Sequence, residues 1–147
     1  MQKDISKIII GRLEKIDFPN LNLYQLDAKI DTGAYTSSLH CHKIEIEKRG
    51  KREWVHFYVL DPDHPEYEST QYESPVYKIK KVRSSNGQVE ERVVIRQKAL
   101  FFGTKRMIEL SLTDRSEMKF PVLIGRKYLS HNFIVDVSKK FLYKVNS

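Results

Sequence analysis

One cysteine, one tryptophan, five prolines and six glycines in 147 residues close several routes at once. With Cys41 alone, no disulfide can form within the chain, so stability must come from a packed core, and a reducing compartment is expected. Neither a paired C-x-x-C nor an H-E-x-x-H occurs, so the common zinc-holding spacings are missing. The longest apolar run near the start, Ile8-Ile9-Ile10, is too short for a signal-peptide core or a membrane span. A cytoplasmic protein with no membrane partner is therefore expected. Internal repeats, low-complexity tracts and Gly/Ser-rich linkers are wanting, and the length fits one domain over residues 1–147. No segment carries a long 3.6-residue apolar period, which argues against a helical bundle.

What is present is an ordinary globular mixture, 40% hydrophobic and 31% charged, with a net charge of +7. The charge is uneven. Residues 60–75 hold five acidic residues and no basic one, whereas residues 76–106 hold nine basic and two acidic. Such a basic stretch can attract nucleic acid, an acidic peptide or membrane headgroups. Alternatively, the two stretches lie side by side and partly neutralise each other.

Strand periodicity dominates. In Leu26–Asp31 the residues Leu26, Ala28 and Ile30 share one face. Lys43–Glu47 alternates likewise, and Trp54–Val59 reads as its return strand after a turn at Lys48–Lys51. Asp61-Pro62-Asp63-His64-Pro65 breaks any ladder, so 60–75 is expected to be an exposed acidic loop insertion. Tyr77–Arg83 and Val89–Arg96 flank Ser84–Gln88, whose Asn86-Gly87 is a strong hairpin signal. Ala99–Phe102 and Met107–Leu112 predict two further strands, Phe120–Ile124 a short buried one, Arg126–Ser130 a short helix, and Phe133–Val137 a last strand. The fold expected is all-β.

Asp31-Thr32-Gly33-Ala34 ends an amphipathic strand. A carboxylate that activates water must be held, partly desolvated and hydrogen-bonded. Gly33 lets the backbone turn tightly and bring N–H groups to Asp31. Thr32 offers a short hydroxyl to lock the loop, and Ala34 keeps the surroundings tight. An Asp-Gly turn of purely structural character would look the same in isolation. Downstream, Val122-Leu123-Ile124-Gly125-Arg126 runs an apolar strand into Gly-Arg and a short helix.

The order of Asp-Thr-Gly-Ala loop, glycine-bearing hairpin and apolar-apolar-Gly-Arg strand resembles the retropepsin-like aspartic endopeptidases over roughly residues 29–137. It is most similar to a bacterial branch that also carries the label ATP-dependent zinc protease. Thr36-Ser37, Leu39-His40, Asn86-Gly87, Glu91–Ile95 and Phe120–Arg126 carry that match. The resemblance implies a single-lobe, closed β-barrel with a flap hairpin. It implies catalytic roles for Asp31, Thr32 and Gly33, and a structural role for Gly125 and Arg126 beneath the loop. Substrate contacts would come from Ala34, Thr36 and Ser37, from the flap residues Asn86, Gly87 and Arg92, and from His40, which would also orient the loop.

An aspartic peptidase needs two carboxylates around one water. At about 3 Å and an effective dielectric of about 20, two charged carboxylates repel by roughly 5–6 kcal/mol, so one proton is shared. The chain has one Asp-Thr-Gly, and Asp136 lacks the Thr-Gly that would make it a partner. A homodimer placing Asp31 of each copy at a twofold axis is therefore expected. The substrate expected is then a peptide or protein, and Lys78, Lys80, Lys81, Arg83, Arg92 and Arg96 would favour acidic or glutamate-rich segments. The branch's association with glutamate ligases points the same way.

Two other readings stand beside this one. A non-catalytic module could hold nucleic acid or an acidic partner on residues 76–106, with Tyr72, Tyr77, Phe101 and Phe102 stacking on bases, although such aromatics are more often core. A zinc hydrolase could use His40 and His42, but Cys41 points the other way on a strand, and further ligands would have to come from His56, His64 or His131. The main reading assigns no metal and no cofactor.

Overall fold

Alternation sets the architecture. Strand β3 (Leu23–Ile30) buries Leu23, Ala28 and Ile30 while exposing Tyr24 and Lys29. This is the one-sided pattern of a sheet packed on a core. The computed structural model describes residues 6–60, 62, 65, 67–83, 86–114 and 119–144. Along the chain, β1 (Ile8–Ile10) and β2 (Leu13–Phe18) precede β3, and β4 (Ser37–Arg49) and β5 (Arg52–Val59) follow it. Next come β6 (Gln71–Pro75), β7 (Lys78–Arg83), β8 (Val89–Phe101), β9 (Thr104–Thr113) and β10 (Val122–Ile124). A single turn of helix, α1 (Arg126–Leu129), and β11 (Phe133–Val135) complete the order.

Six strands, in the order β10-β3-β2-β8-β9-β4, close into a barrel because β10 pairs with both β3 and β4. Closure removes sheet edges, which is how a small β domain avoids open pairing sites. Strands β5 and β6 extend the sheet beyond β4, and β7 rides on β8. Phe18, Leu39, Ile95, Phe101, Leu110 and Ile124 fill the core, each at most 1% exposed. At roughly 2 kcal/mol per fully buried large side chain, this interior supplies the stability that no disulfide provides. A buried carboxylate, Glu14, accepts from the backbone N–H of Gly11 (2.7 Å) and of Leu142 (2.9 Å), tying both ends of the described chain to β2.

The expected all-β fold is present, with several local differences. The expected strands Val89–Arg96 and Ala99–Phe102 are one strand that ends at Phe101, because Gln97 is buried and donates its amide to Ser74 Oγ (3.0 Å), carrying the ladder through a polar stretch. The turn that follows is Phe102-Gly103, both at positive φ (50° and 75°), the two-residue geometry that matches strand twist. Part of the expected 60–75 loop is strand β6, held on β5 from Trp54↔Pro75 to Tyr58↔Gln71, with Tyr72 stacked on Phe57. Asp61, Asp63, His64 and Glu66 of that loop, and Ser84 and Ser85 of the flap turn, lie outside the described residues. Nor does the acidic stretch neutralise the basic one through Glu73, whose partner is Arg49 of β4 at 2.6 Å.

Candidate active site

Asp31 is the first residue past β3, and its loop is fastened from below by the segment that follows β10. The Asp31 N–H donates to the Ile124 carbonyl (2.9 Å), extending the parallel β3–β10 pairing by one residue. Gly33 N–H donates to Asp31 Oδ1 at 2.9 Å, and Ala34 N–H to the Asp31 carbonyl at 3.2 Å. The carboxylate is thus held by the backbone turn that Gly33 makes, half-buried, while Thr32 and Gly33 are exposed beside it. A carboxylate held this way keeps one orientation, which suits a group that must meet a water at a fixed position.

The Gly125-Arg126 pair closes the loop from the other side. Arg126 N–H donates to the Ala34 carbonyl (2.8 Å) and Lys127 N–H to the Tyr35 carbonyl (2.9 Å). The Arg126 guanidinium reaches the Thr32 carbonyl at 2.9 Å and lies 5.8 Å from the Tyr35 ring centre. Gly125 is buried, and its N–H donates to Ser37 Oγ at 3.0 Å. A Cβ added at Gly125 would stand 2.5 Å from the Thr36 carbonyl oxygen and 2.8 Å from those of Ala34 and Tyr35. The glycine is required by this close approach, not by its backbone angles.

The other sequence-predicted residues fall in distinct places. Ser37 is buried and spends its hydroxyl on Gly125, while Ala34 is half-buried and gives its carbonyl to Arg126. His40 is 1% exposed within the barrel wall, its N–H donating to the Pro121 carbonyl (2.8 Å) and its Nδ1 lying 3.3 Å from the Thr113 carbonyl. Asn86 and Gly87 are exposed at the hairpin tip, where Gly87 takes φ 83° and Asn86 Oδ1 accepts from Gln88 N–H. Arg92 sits lower on the hairpin, opposite Lys80 and 3.6 Å from Glu90.

Beside the loop runs a groove of about 400 Å³, bounded by Tyr35–Ser37, β7, β8, β9 and α1. Asp31 itself is not among its lining residues; the groove begins where the loop ends. Thr36 and Ser37 reach it, as do Lys78, Lys80 and Arg96 of the predicted basic set, whereas Lys81, Arg83 and Arg92 do not. Arg106, Glu109 and Lys127 also line it, though no sequence signal brought them forward. Strand parity accounts for Lys78 and Lys80, which lie two apart on β7 and so share a face, but not for residues brought in from β9 and α1.

The His40-Cys41-His42 run does not fit a zinc site. Burial pushes the Cys41 thiol well above its ordinary value, the reverse of what a thiolate ligand needs. His42 places Nδ1 2.7 Å from the Leu60 carbonyl and packs its ring on Tyr58 and Tyr67. His56 is held between Glu47 and Glu73, with Arg49 over the Trp54 ring nearby. Among the described residues no group of three His, Cys, Asp or Glu is placed to hold a metal ion. The stacking platform of the nucleic-acid reading is likewise thin. Phe101 is buried against Phe102, Tyr128 and Phe133, and Tyr72 is half-buried on Phe57. Tyr77, with Arg96 over its ring, is exposed.

Residues 9–146 match the family model described as retropepsin-like aspartic endopeptidase RimB. Over 136 residues, or 92% of this chain, the sequence is 36% identical to a probable alpha-L-glutamate ligase of Shewanella halifaxensis (strain HAW-EB4). Over 130 residues it is 35% identical to a protein of the same description from Parasynechococcus marenigrum (strain WH8102). The chain spans only 30% and 28% of the length of those two relatives. Among solved structures, Lpg0085 of Legionella pneumophila, a protein of unknown function, superposes with a TM-score of 0.74 at 28% identity, covering 95% of this chain and all of that one. Among the described residues no helix is long and apolar enough to cross a membrane. The loop, its Gly-Arg fastening and the match across nearly the whole length lead to one conclusion: the chain belongs to the RimB-like family of retropepsin-like aspartic endopeptidases.

Proposed function

We propose that this protein hydrolyses peptide bonds as a cytoplasmic homodimer, with water activated between the Asp31 carboxylates of two copies. The observation that carries the reading is the Asp31 carboxylate held by Gly33 N–H in a loop fastened by Gly125 and Arg126. One such carboxylate cannot both take a proton from water and give one to the scissile carbonyl. A symmetry-related copy supplies the second acid, and sharing one proton avoids the repulsion of roughly 5–6 kcal/mol at contact distance. Thr32 and Gly33, exposed at the loop, are free to meet their counterparts.

Acidic peptides are the proposed substrate class. The groove beside the loop carries five cationic side chains against one carboxylate, and the glutamate-ligase names of the curated relatives fit a glutamate-bearing chain. The flap hairpin β7–β8, with Asn86-Gly87 at its tip, would close over an extended peptide.

Replacing Asp31→Asn tests the chemistry. Turnover of glutamate-rich peptides should vanish while the circular dichroism spectrum and the dimer seen by sedimentation stay as in the parent. Unchanged turnover, or a strictly monomeric active protein, ends this reading.

A further inference from the structure

The groove is not charge-balanced in a simple way. Arg106 donates to the Tyr128 carbonyl (3.1 Å) and lies over the Tyr128 ring, and Arg96 lies over Tyr77. Lys127 and Lys78 instead turn to one shared acceptor. Lys127 makes a hydrogen-bonded ion pair with Glu109 Oε2, and Lys78 Nζ is 3.5 Å from Glu109 Oε1. Arg96 is the register partner of Glu109 across β8 and β9. Glu109 therefore links the first strand of the hairpin to the helix that follows Gly125, joining the two walls of the groove.

We propose that this groove is a subsite for the carboxylate side chain of a bound peptide, and that Glu109 fills it from within until such a side chain arrives. The inference rests on the peptidase reading for the ligand being an extended peptide. The chemistry of recognition is on the page. Two lysines around one carboxylate leave positive charge unspent, and Lys80 adds to it from the same face of β7. An entering carboxylate gains Lys127 and Lys78 but meets the charge of Glu109, so it must share the lysines or push Glu109 aside. Glu109 thus sets the affinity for acidic side chains without touching the reacting atoms. A glutamine in its place keeps the shape, removes the repulsion and releases both lysines.

Binding is measured in the Asp31→Asn background, where nothing is cleaved, by fluorescence anisotropy of labelled penta-glutamate and penta-glutamine. Adding Glu109→Gln should tighten penta-glutamate binding about tenfold, and adding Lys127→Gln should weaken it about tenfold, with penta-glutamine alike in all three proteins. Penta-glutamate binding that is unchanged or weaker in Glu109→Gln, insensitive to Lys127→Gln, or absent throughout overturns the subsite. Lys78→Gln, expected to weaken binding as Lys127→Gln does, keeps the test decisive if Glu109→Gln fails to fold. Turnover with Asp31 intact separates the two ideas. An inactive protein with this binding pattern keeps the subsite and loses the peptidase reading, and an active one without the pattern does the reverse.

Discussion

Arg126 donates its guanidinium hydrogen bond to the carbonyl of Thr32, 94 residues earlier in the chain, and this contact lies next to the Asp31 carboxylate on which the proposed chemistry depends. Its backbone N–H holds Ala34 independently of the side chain. Two functions are therefore separable at one residue: the backbone fastens the loop, and the side chain fixes its tip.

Arg126→Met should separate them. The lost bond is exposed, so stability should fall by only about 1 kcal/mol, read from urea unfolding. Turnover should fall more, about tenfold or beyond, since small displacements of a catalytic group cost rate steeply. Arg126→Lys should recover part of the activity. Equal losses in turnover and in folded fraction would reduce Arg126 to a structural role.

Gly125→Ala meets three carbonyl oxygens within 2.8 Å, all from the backbone of the Asp31 loop. None can yield without moving the loop, so a cost of about 3 kcal/mol and loss of activity are expected. Gly87→Ala has nothing within 4 Å and is strained only by its φ of 83°, so about 1 kcal/mol is expected there. Thermal melts of the two variants compare them directly.

The Glu109–Lys127 pair has a defined pH window. The Lys127 hydrogen bond holds the Glu109 carboxyl below its ordinary 4.5, and Glu109 in turn raises Lys127 above 10.5. For the depressed acid, the contribution is present above 4.5 and fades as pH falls through the folded value. For the raised amine, it is present below 10.5 and fades as pH rises through the folded value. Because Lys127 is 47% exposed, the pair should contribute less than about 1 kcal/mol. The stability difference between wild type and Glu109→Gln should stay small and flat from pH 5 to about 10 and shrink further outside that window.

Cys41 should be silent in the native state. Its thiol is fully buried, 3.5 Å from the Leu39 carbonyl, and desolvation is the main reason its ionisation is disfavoured. An aromatic disulfide reagent should label it only on the timescale of unfolding, with rate rising as urea is added. Rapid stoichiometric labelling of folded protein would contradict the burial.

Much of the barrel was legible because one-sided burial writes itself as alternation. Leu26, Ala28 and Ile30 announced β3, and Asn86-Gly87 announced the hairpin. The misses have identifiable causes. Gln97 reads as a break in a strand until Ser74 is found beside it. Gln71–Pro75 reads as loop because Pro and charge are tolerated at the far edge of a sheet. Strands β1 and β2 passed unnoticed, β1 being an unbroken apolar triplet without alternation.

The chain alone determined a small all-β domain with one candidate acid. The residue types of Asp31-Thr32-Gly33-Ala34 and the Gly-Arg turn carry their chemistry locally, through hydrogen-bonding groups and the space a missing Cβ leaves. Which cations face which anion was decided only by tertiary structure. Lys78, Glu109 and Lys127 come from three elements, and their meeting depends on the β7–β8–β9 register and on where Gly125 sets down the helix, relations that no local pattern encodes.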